Sequence, residues 1–435
     1  MRILMMTNTY LPHVGGVARS VSSFTEEFRR QGHDTLVVAP TFDGAHDDDD
    51  SGVVRVPAIQ NFNGSDFSVR LPIAGYLAST LDEFEPEIVH AHHPFLLGDT
   101  ALRVAAARDL PLVFTHHTMY ERYTHYVPGD SEAMRRFVIR MATDYANLCD
   151  RIIAPSESVA VTLRERGVET PIVPIPTGID PNRFAEGDGS EAREQYGVPK
   201  DAFVVGHVGR LAPEKNLEFL ARAVGRFLKD RREAQFLVVG GGPSQSGIRE
   251  TCDRLGVGDR LRMTGKLTGS DLSNAYHAMN VFAFASHSET QGMVLAEAMT
   301  AGVPVVAVDA PGAREVVRDG VNGRLLVEDD EREFAAALSE FADASVQDNE
   351  EFRAAALRTA QEFSLERCSL RVLDMYRDLV AADDYERDLE DSAWSQALRL
   401  IETEWNLWSR RAEAAVDSLS AAFDPDESSS PSDLR

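Results

Sequence analysis

Two glutamates, Glu289 and Glu297, stand eight positions apart in FASHSETQGMVLAEAM, residues 284–299. With 26% of the chain charged, that spacing alone means little. Its surroundings give it meaning. NVFAFAS reads as a buried strand, HSETQG as a loop and MVLAEAMTAG as a helix. A helix that starts just past a strand end aims free N–H groups and a positive dipole end outward, which suits an anion. A diphosphate fits such a place. Glu289 at the lip is then positioned to accept hydrogen bonds from sugar hydroxyls. Glu297, further along, is positioned to take a ribose diol, as acidic residues do in nucleotide folds.

A second constellation supplies positive charge. In GHVGRLAPEKN, residues 206–216, Arg210 follows Gly209 at a strand end and Lys215 precedes the next helix. Arg210 offers a fork for phosphate oxygens and Lys215 a point charge. The chain has only four lysines, so one placed here carries weight. VGGGP at 239–243, with Gly241, reads as a close approach of ligand to backbone or equally as a tight turn. TGKL, with Lys266 and Leu267, follows another strand, where backbone groups are placed to meet a nucleobase edge. Gln291, Gly292, Met293 and Val294 complete the donor-side set around the helix start.

The N-terminal half carries different chemistry. HVGGVARS puts Gly15 and Gly16 between the first strand and helix, without the G-x-G-x-x-G spacing. The second strand ends in Ala39-Pro40 and lacks the acidic residue that grips a dinucleotide ribose, which argues against a nicotinamide dehydrogenase. HAHHPFLLG and THHTMYERYTHY follow two later strands and gather His90, His92, His93, His116 and His117. Zinc binding is the sharp alternative for these rings. No acidic ligand pattern accompanies them, so structural roles are expected for most and no metal is assigned. His92, His117, Tyr120 and Tyr123 form the expected acceptor side.

The elements that must position these residues repeat as strand, loop and helix. RILMMTN, DTLVVAP, EIVHAHH, LPLVFTHH and RIIAPS are apolar runs that end in polar residues. The pattern restarts after the proline-rich hinge PIVPIPTGIDPNRF with AFVVGHVGRL, QFLVVGGG, RLRMTGKL, NVFAFAS and VPVVAVD. PGAREVV and DGVNGRLL read as turns. The expectation is an α/β protein of two doubly wound, Rossmann-like domains, 1–180 and 181–370, facing across a cleft. A helical extension at 371–423 carries a tryptophan stripe (Trp394, Trp405, Trp408), and 424–435 has the composition of disorder. MRRFVIRM, residues 134–141, reads as an interfacial or an ordinary packed helix.

The 435-residue chain has a net charge of −26, which argues against nucleic-acid binding. Acid-rich, lysine-poor and arginine-rich, it reads as a halophile's protein. At ~1 M salt the Debye length is ~3 Å, so membrane contact there would lean on apolar burial. No apolar run reaches bilayer length. Three scattered cysteines fit no disulfide or metal framework and point to a reducing cytosol. DDDD at 47–50 reads as a solvated loop.

Taken together, Glu289-x7-Glu297, the following AGVPVVA and VGRLAPEKN resemble the retaining glycosyltransferases of family 4, with the GT-B fold, over roughly residues 1–385. In that family the first glutamate contacts the transferred sugar and the second the ribose, while the arginine and lysine hold the diphosphate. By resemblance these are Glu289, Glu297, Arg210 and Lys215. The Gly15-Gly16 loop approaches the donor phosphates, and His117 takes the place of the histidine near the sugar. THHTMYERYTHY, HPFLLG and SETQGMV together resemble the diacylglycerol glucosyltransferases and related glycolipid synthases. The resemblance implies a retaining hexose transfer from a nucleotide-sugar, a UDP-hexose, to a membrane-lipid hydroxyl of diacylglycerol or archaeol type. It implies no metal or other cofactor, and peripheral contact with the cytoplasmic membrane face. A polyprenol- or dolichol-linked or surface glycan is the alternative acceptor. A nucleotide-sugar isomerase or a non-catalytic binding protein on the same fold is the alternative of another class.

Overall fold

A computed structural model describes residues 1–12, 15–41, 52–59, 69–70, 77–121 and 131–387. Tyr123, the aspartate run at 47–50, the tryptophan stripe and the tail at 424–435 lie outside them. The chain divides into two compact units. One comprises Met1–Pro155, Ala160–Ile175 and the described residues from Arg371; the other comprises Ser156–Val159 and Pro176–Leu370.

The first unit is built on seven parallel strands: β1 (Arg2–Met6), β2 (Asp34–Pro40), β3 (Val53–Val56), β6 (Ile88–Ala91), β7 (Leu112–Thr115), β8 (Arg151–Ala154) and β9 (Ile172–Pro174). β4 (Ala58–Ile59) and β5 (Val69–Arg70) form a separate antiparallel pair. The order is β3-β2-β1-β6-β7-β8-β9. Ile3, Leu4, Met5, Ile88, Val89, Val113 and Phe114 are fully buried. Runs without polar alternation fit a parallel sheet covered on both faces. The hinge run therefore contributes an edge strand, β9, which the proline-rich sequence concealed.

The second unit has six parallel strands: β10 (Val204–Val208), β11 (Gln235–Val239), β12 (Leu261–Gly265), β13 (Val281–Phe284), β14 (Val305–Val308) and β15 (Gly323–Leu326), in the order β12-β11-β10-β13-β14-β15. Its helix Leu217–Asp230 buries Leu217, Leu220, Ala221, Val224, Phe227 and Leu228, a stripe with the helical period. DGVNGRLL, expected as a turn, supplies β15. Only four residues long, β15 gains its place by pairing with β14 from Val305↔Gly323 to Val308↔Leu326. A Cβ at Gly323 would lie 2.1 Å from the Val305 carbonyl oxygen, so this strand passes its neighbour where no side chain fits. PGAREVV contains a short helix, Ala313–Val316, besides its turn.

Both sheets reverse their strand order once, between β1 and β6 and between β10 and β13. Loops leaving neighbouring parallel strands in opposite directions open a crevice at such a point, and ligands bind there in this class of fold.

Candidate active site

The reversal in the second unit lies between β10 and β13, and the charged residues collect at that edge. β10 runs into Gly209 and Arg210; β13 runs into the loop that carries Glu289. Lys215 Nζ lies 2.7 Å from Glu289 Oε2, with 19% and 26% of the two side chains exposed. Arg210, 63% exposed, pairs with Glu214 one turn on. Ser288 Oγ donates to the Glu214 carbonyl at 3.2 Å and ties the two loops together. Asn216 Nδ2 donates to Asp329 at 2.9 Å, and His287 Nε2 sits 3.0 Å from the same carboxylate.

The helix Met293–Thr300 starts directly behind Glu289. Its N-cap is Gly292 at φ +69°, with no side-chain cap. The first N–H groups of a helix, here those of Met293 and Val294, have no intrahelical acceptor, so the helix keeps its anion-directed donors. Gly292 allows a tight approach: a Cβ there would lie 2.3 Å from the Gly312 carbonyl oxygen. Gly312, at φ +85°, in turn lies against the stem of Glu289, where a Cβ would come within 2.9 Å of Glu289 Cβ. The PGAR segment thus supports the glutamate lip, a role the sequence alone did not reveal. Gln291 Oε1 accepts from the Thr177 N–H at 2.8 Å. Met293 and Val294 turn their side chains partly into the core.

Glu297 lies on the same helix, and the fully buried Tyr276 donates its phenol to Glu297 Oε2 at 2.8 Å. Burial, then the Glu297 charge, holds the phenol pKa well above its usual value, so it stays a donor. Tyr276 sits on the helix Gly269–His277, and no local motif in the sequence marked it.

The glycine run at 239–243 has a structural explanation. The Gly240 N–H donates to Gly265 at 2.8 Å, and the Leu211 N–H donates to Gly241 at 3.1 Å. A Cβ at Gly240 would lie 1.9 Å from the Gly209 carbonyl oxygen, and one at Gly242 would lie 2.3 Å from that of Leu211. These two glycines let the strand-end loops pack backbone to backbone. Gly241 faces the stem of Lys266 instead, which is exposed, and Leu267 packs against the core.

In the first unit the parallel pairing of β1, β6 and β7 brings the five histidines to one sheet edge. Asn8, not singled out by sequence, bridges the reversal between β1 and β6. Its N–H donates to His93 Nδ1 at 3.1 Å, its side-chain amide to Phe95 at 3.0 Å, and its Oδ1 accepts from Leu97 at 3.1 Å. His90 Nε2 lies 2.7 Å from Thr115 Oγ1, and its Nδ1 is bonded to Tyr376 from the C-terminal helix. His92 Nδ1 lies 3.0 Å from His117 Nε2. Burial pushes His90 and His93 down to about 3 and His116 to about 4. His92 and His117 fall well below the usual histidine value, first through burial and then through neighbouring histidines. All five rings are neutral near pH 7. Among the described residues no group of three or more His, Cys, Asp or Glu is arranged to hold a metal ion.

Tyr120 packs edge-on to Phe95 and His116. Gly15 caps the helix Gly16–Arg30 without a side-chain bond, and Gly16 faces open space. In the helix Glu132–Ala146, Phe137, Val138, Ile139 and Met141 are half-buried, while Arg135, Arg136 and Arg140 are exposed. No described helix is long and apolar enough to cross a membrane.

Comparison with known proteins decides the family. Residues 14–183 match Glycosyltransferase Family 4, and residues 188–359 match Glycosyl transferases group 1. A GDP-mannose-dependent alpha-mannosyltransferase of Corynebacterium glutamicum is 30% identical over 395 residues, covering 88% of this chain and 90% of that protein. The chain is a member of this glycosyltransferase family. The glycosyltransferase is also 28% identical over 411 residues to an alpha-monoglucosyldiacylglycerol synthase of Streptococcus pneumoniae, with 92% of this chain and 90% of the relative covered. Among solved structures, Anabaena HepE in complex with UDP and glucose has a TM-score of 0.65 at 25% identity, covering 87% of this chain and all of that one (100%). The fold of the glycosyltransferase is accordingly GT-B, with two parallel-sheet α/β units and C-terminal helices.

Proposed function

We infer that this glycosyltransferase moves a hexose from a UDP-hexose to a lipid hydroxyl with retention at the anomeric carbon. The observation that carries the reading is the Lys215–Glu289 pair at the strand reversal, beside Arg210 and the uncapped helix start at Met293. Two cations and free N–H groups suit a departing diphosphate, whose charge grows as the glycosidic bond breaks. Glu289 accepts from the sugar hydroxyls and Glu297 from the ribose diol. The C1–O bond to phosphate breaks and the acceptor oxygen bonds to C1 on the same face. The acceptor proton passes to the leaving phosphate oxygen. No cofactor is needed for this balance.

The lipid acceptor rests on the alpha-monoglucosyldiacylglycerol synthase relative and on the N-terminal motifs that resemble such enzymes. His117, with Tyr120 and Tyr123, forms the acceptor-side set, and His92, 1% exposed, stands behind His117 instead of reaching an acceptor. The partly open apolar side chains and exposed arginines of Glu132–Ala146 fit peripheral contact with the cytoplasmic membrane face. Diacylglycerol or an archaeol-type lipid carries the hydroxyl.

The test is acceptor-dependent turnover. Purified protein in high and low salt receives UDP-glucose, UDP-galactose or GDP-mannose with diacylglycerol or archaeol vesicles. Release of nucleoside diphosphate and a hexose-sized mass gain on the lipid are read together. A lipid shift with a UDP-hexose, α-linked by NMR, is expected. A shift only with GDP-mannose overturns the donor, and donor turnover only on a polyprenol-linked glycan overturns the lipid. A β-linkage overturns retention.

A further inference from the structure

The histidine edge of the first unit contains two hydrogen-bonded pairs, Tyr376–His90 and His92–His117, stacked ring on ring. Tyr376 holds His90, whose ring lies 4.1 Å from that of His92 at 35°. His92 Nδ1 meets His117 Nε2 at 3.0 Å, with the rings 5.2 Å apart at 28°. His92 is 1% exposed, and its remaining nitrogen, Nε2, is buried without a partner among the described residues. His117 is the open end of the stack, since the residue is only partly buried.

One proton lies between His92 Nδ1 and His117 Nε2, and either ring can supply it. If His117 donates, His92 must carry its own proton on Nε2, leaving a buried N–H with no acceptor. If His92 donates, its Nε2 is a bare lone pair, and unmatched buried acceptors are the less rare of the two. The same protein shows that second state elsewhere. His207 Nδ1 faces the Ala283 carbonyl at 3.0 Å, so it carries the proton. That leaves His207 Nε2 as a bare, buried and unpartnered nitrogen.

We propose that His92 is a positioning residue that donates through Nδ1 to His117 Nε2 and fixes His117 as the Nδ1–H tautomer. His117 then presents a neutral N–H to an oxygen of the bound substrate and cannot accept the acceptor's proton at that nitrogen. This rests on the proposed role of His117 and sharpens it, because it makes His117 a donor rather than a general base. The C-terminal helix also has work here, since Tyr376 bonds His90, whose ring backs that of His92.

Asparagine and glutamine separate positioning from packing. The Asn amide nitrogen overlays imidazole Nδ1, whereas the Gln amide reaches the Nε2 position. His92→Asn should keep turnover within about threefold, and His92→Gln should lower kcat on the order of 100-fold, the loss typical of one misplaced donor. His92→Asp can only accept, so it should turn His117 into the Nε2–H tautomer and lower kcat at least as far. The tautomer is read directly in the full-length protein by 15N NMR of labelled histidine, with His117 assigned by its loss in His117→Asn. Nδ1–H is expected in wild type and in His92→Asn. An Nε2–H signal in wild type, or equal kcat in the Asn and Gln variants, overturns the proposal. If His92→Asp does not fold, the Asn and Gln pair still decides. Full transfer by His117→Asn would sink the proposed role of His117, while the tautomer measurement would still test the His92 contact.

Discussion

Lys215 and Glu289, 74 positions apart in sequence, meet as an ion pair of 2.7 Å at the edge where β10 and β13 diverge. On the proposed reading, an incoming diphosphate shares or takes over this lysine. Both side chains are only partly exposed, so their attraction is less screened than that of a surface pair.

Glu289→Gln keeps the shape and releases Lys215. Transfer should fall on the order of 100- to 1,000-fold, as when one group that stabilises a transition state is removed. Nucleoside diphosphate should bind as tightly as before, or more tightly. Lys215→Ala should weaken both. Calorimetric titration beside kcat measures this, and unchanged transfer by Glu289→Gln would remove Glu289 from the chemistry.

Tyr276→Phe deletes the phenol that holds Glu297. One hydrogen bond to a charged, half-buried carboxylate contributes about 2 kcal/mol, so donor KM should rise up to roughly 30-fold while kcat changes little. A 2′-deoxyribose donor, which lacks half of the diol, should feel the mutation less. Equal effects on both donors would dissociate Glu297 from the ribose.

Gly312→Ala and Gly292→Ala should each cost roughly 2–5 kcal/mol, from a left-handed backbone position plus overpacking. At Gly312 the added Cβ pushes on the Glu289 stem, so donor binding should fail before the fold does. Nucleotide titration at a temperature where circular dichroism still reports a native fold checks this. Intact binding there would show that the lip tolerates displacement.

Acid should destabilise the first unit ahead of the second. Folded, His90 and His93 stay neutral down to about 3 and His116 down to about 4, whereas in the unfolded chain each takes a proton near 6.5. Below 6.5 the unfolded chain therefore binds more protons, and stability drops by about 1.4 kcal/mol per pH unit for each ring. The second unit carries His207 as its one buried histidine of this kind among the described residues, lowered to about 4. Carboxylates with lowered values, Glu27, Asp319 and Asp330, add to the loss only below about their ordinary 4.5, 3.8 and 3.8. Thermal unfolding at pH 7.5, 6 and 5, with proton uptake from buffers of different ionisation enthalpy, measures this. No uptake between pH 6.5 and 5 would contradict the buried neutral rings.

The sequence by itself determined the two strand-and-helix units, the polar strand ends and the residues proposed to meet a diphosphate. Strand runs such as LVVAP and VFAFA are legible because burial on both faces demands uninterrupted apolar residues, a local property. Arg210, Lys215 and Glu289 were legible because each lies in the loop after such a run, and Glu297 because it stands eight positions beyond Glu289 on the helix that follows. Short β15 and the edge strand β9 were not, since four or three residues gain strand geometry only by pairing with a distant neighbour. The same holds for what supports the site. Asn8 reaches His93, Tyr276 reaches Glu297, Tyr376 reaches His90 and Gly312 reaches Glu289 across 85, 21, 286 and 23 positions. Such contacts depend on which strands and helices become neighbours, so only the tertiary structure decided them. Local order along the chain chose the candidate groups, and long-range packing set their partners and the neutral state of the buried rings.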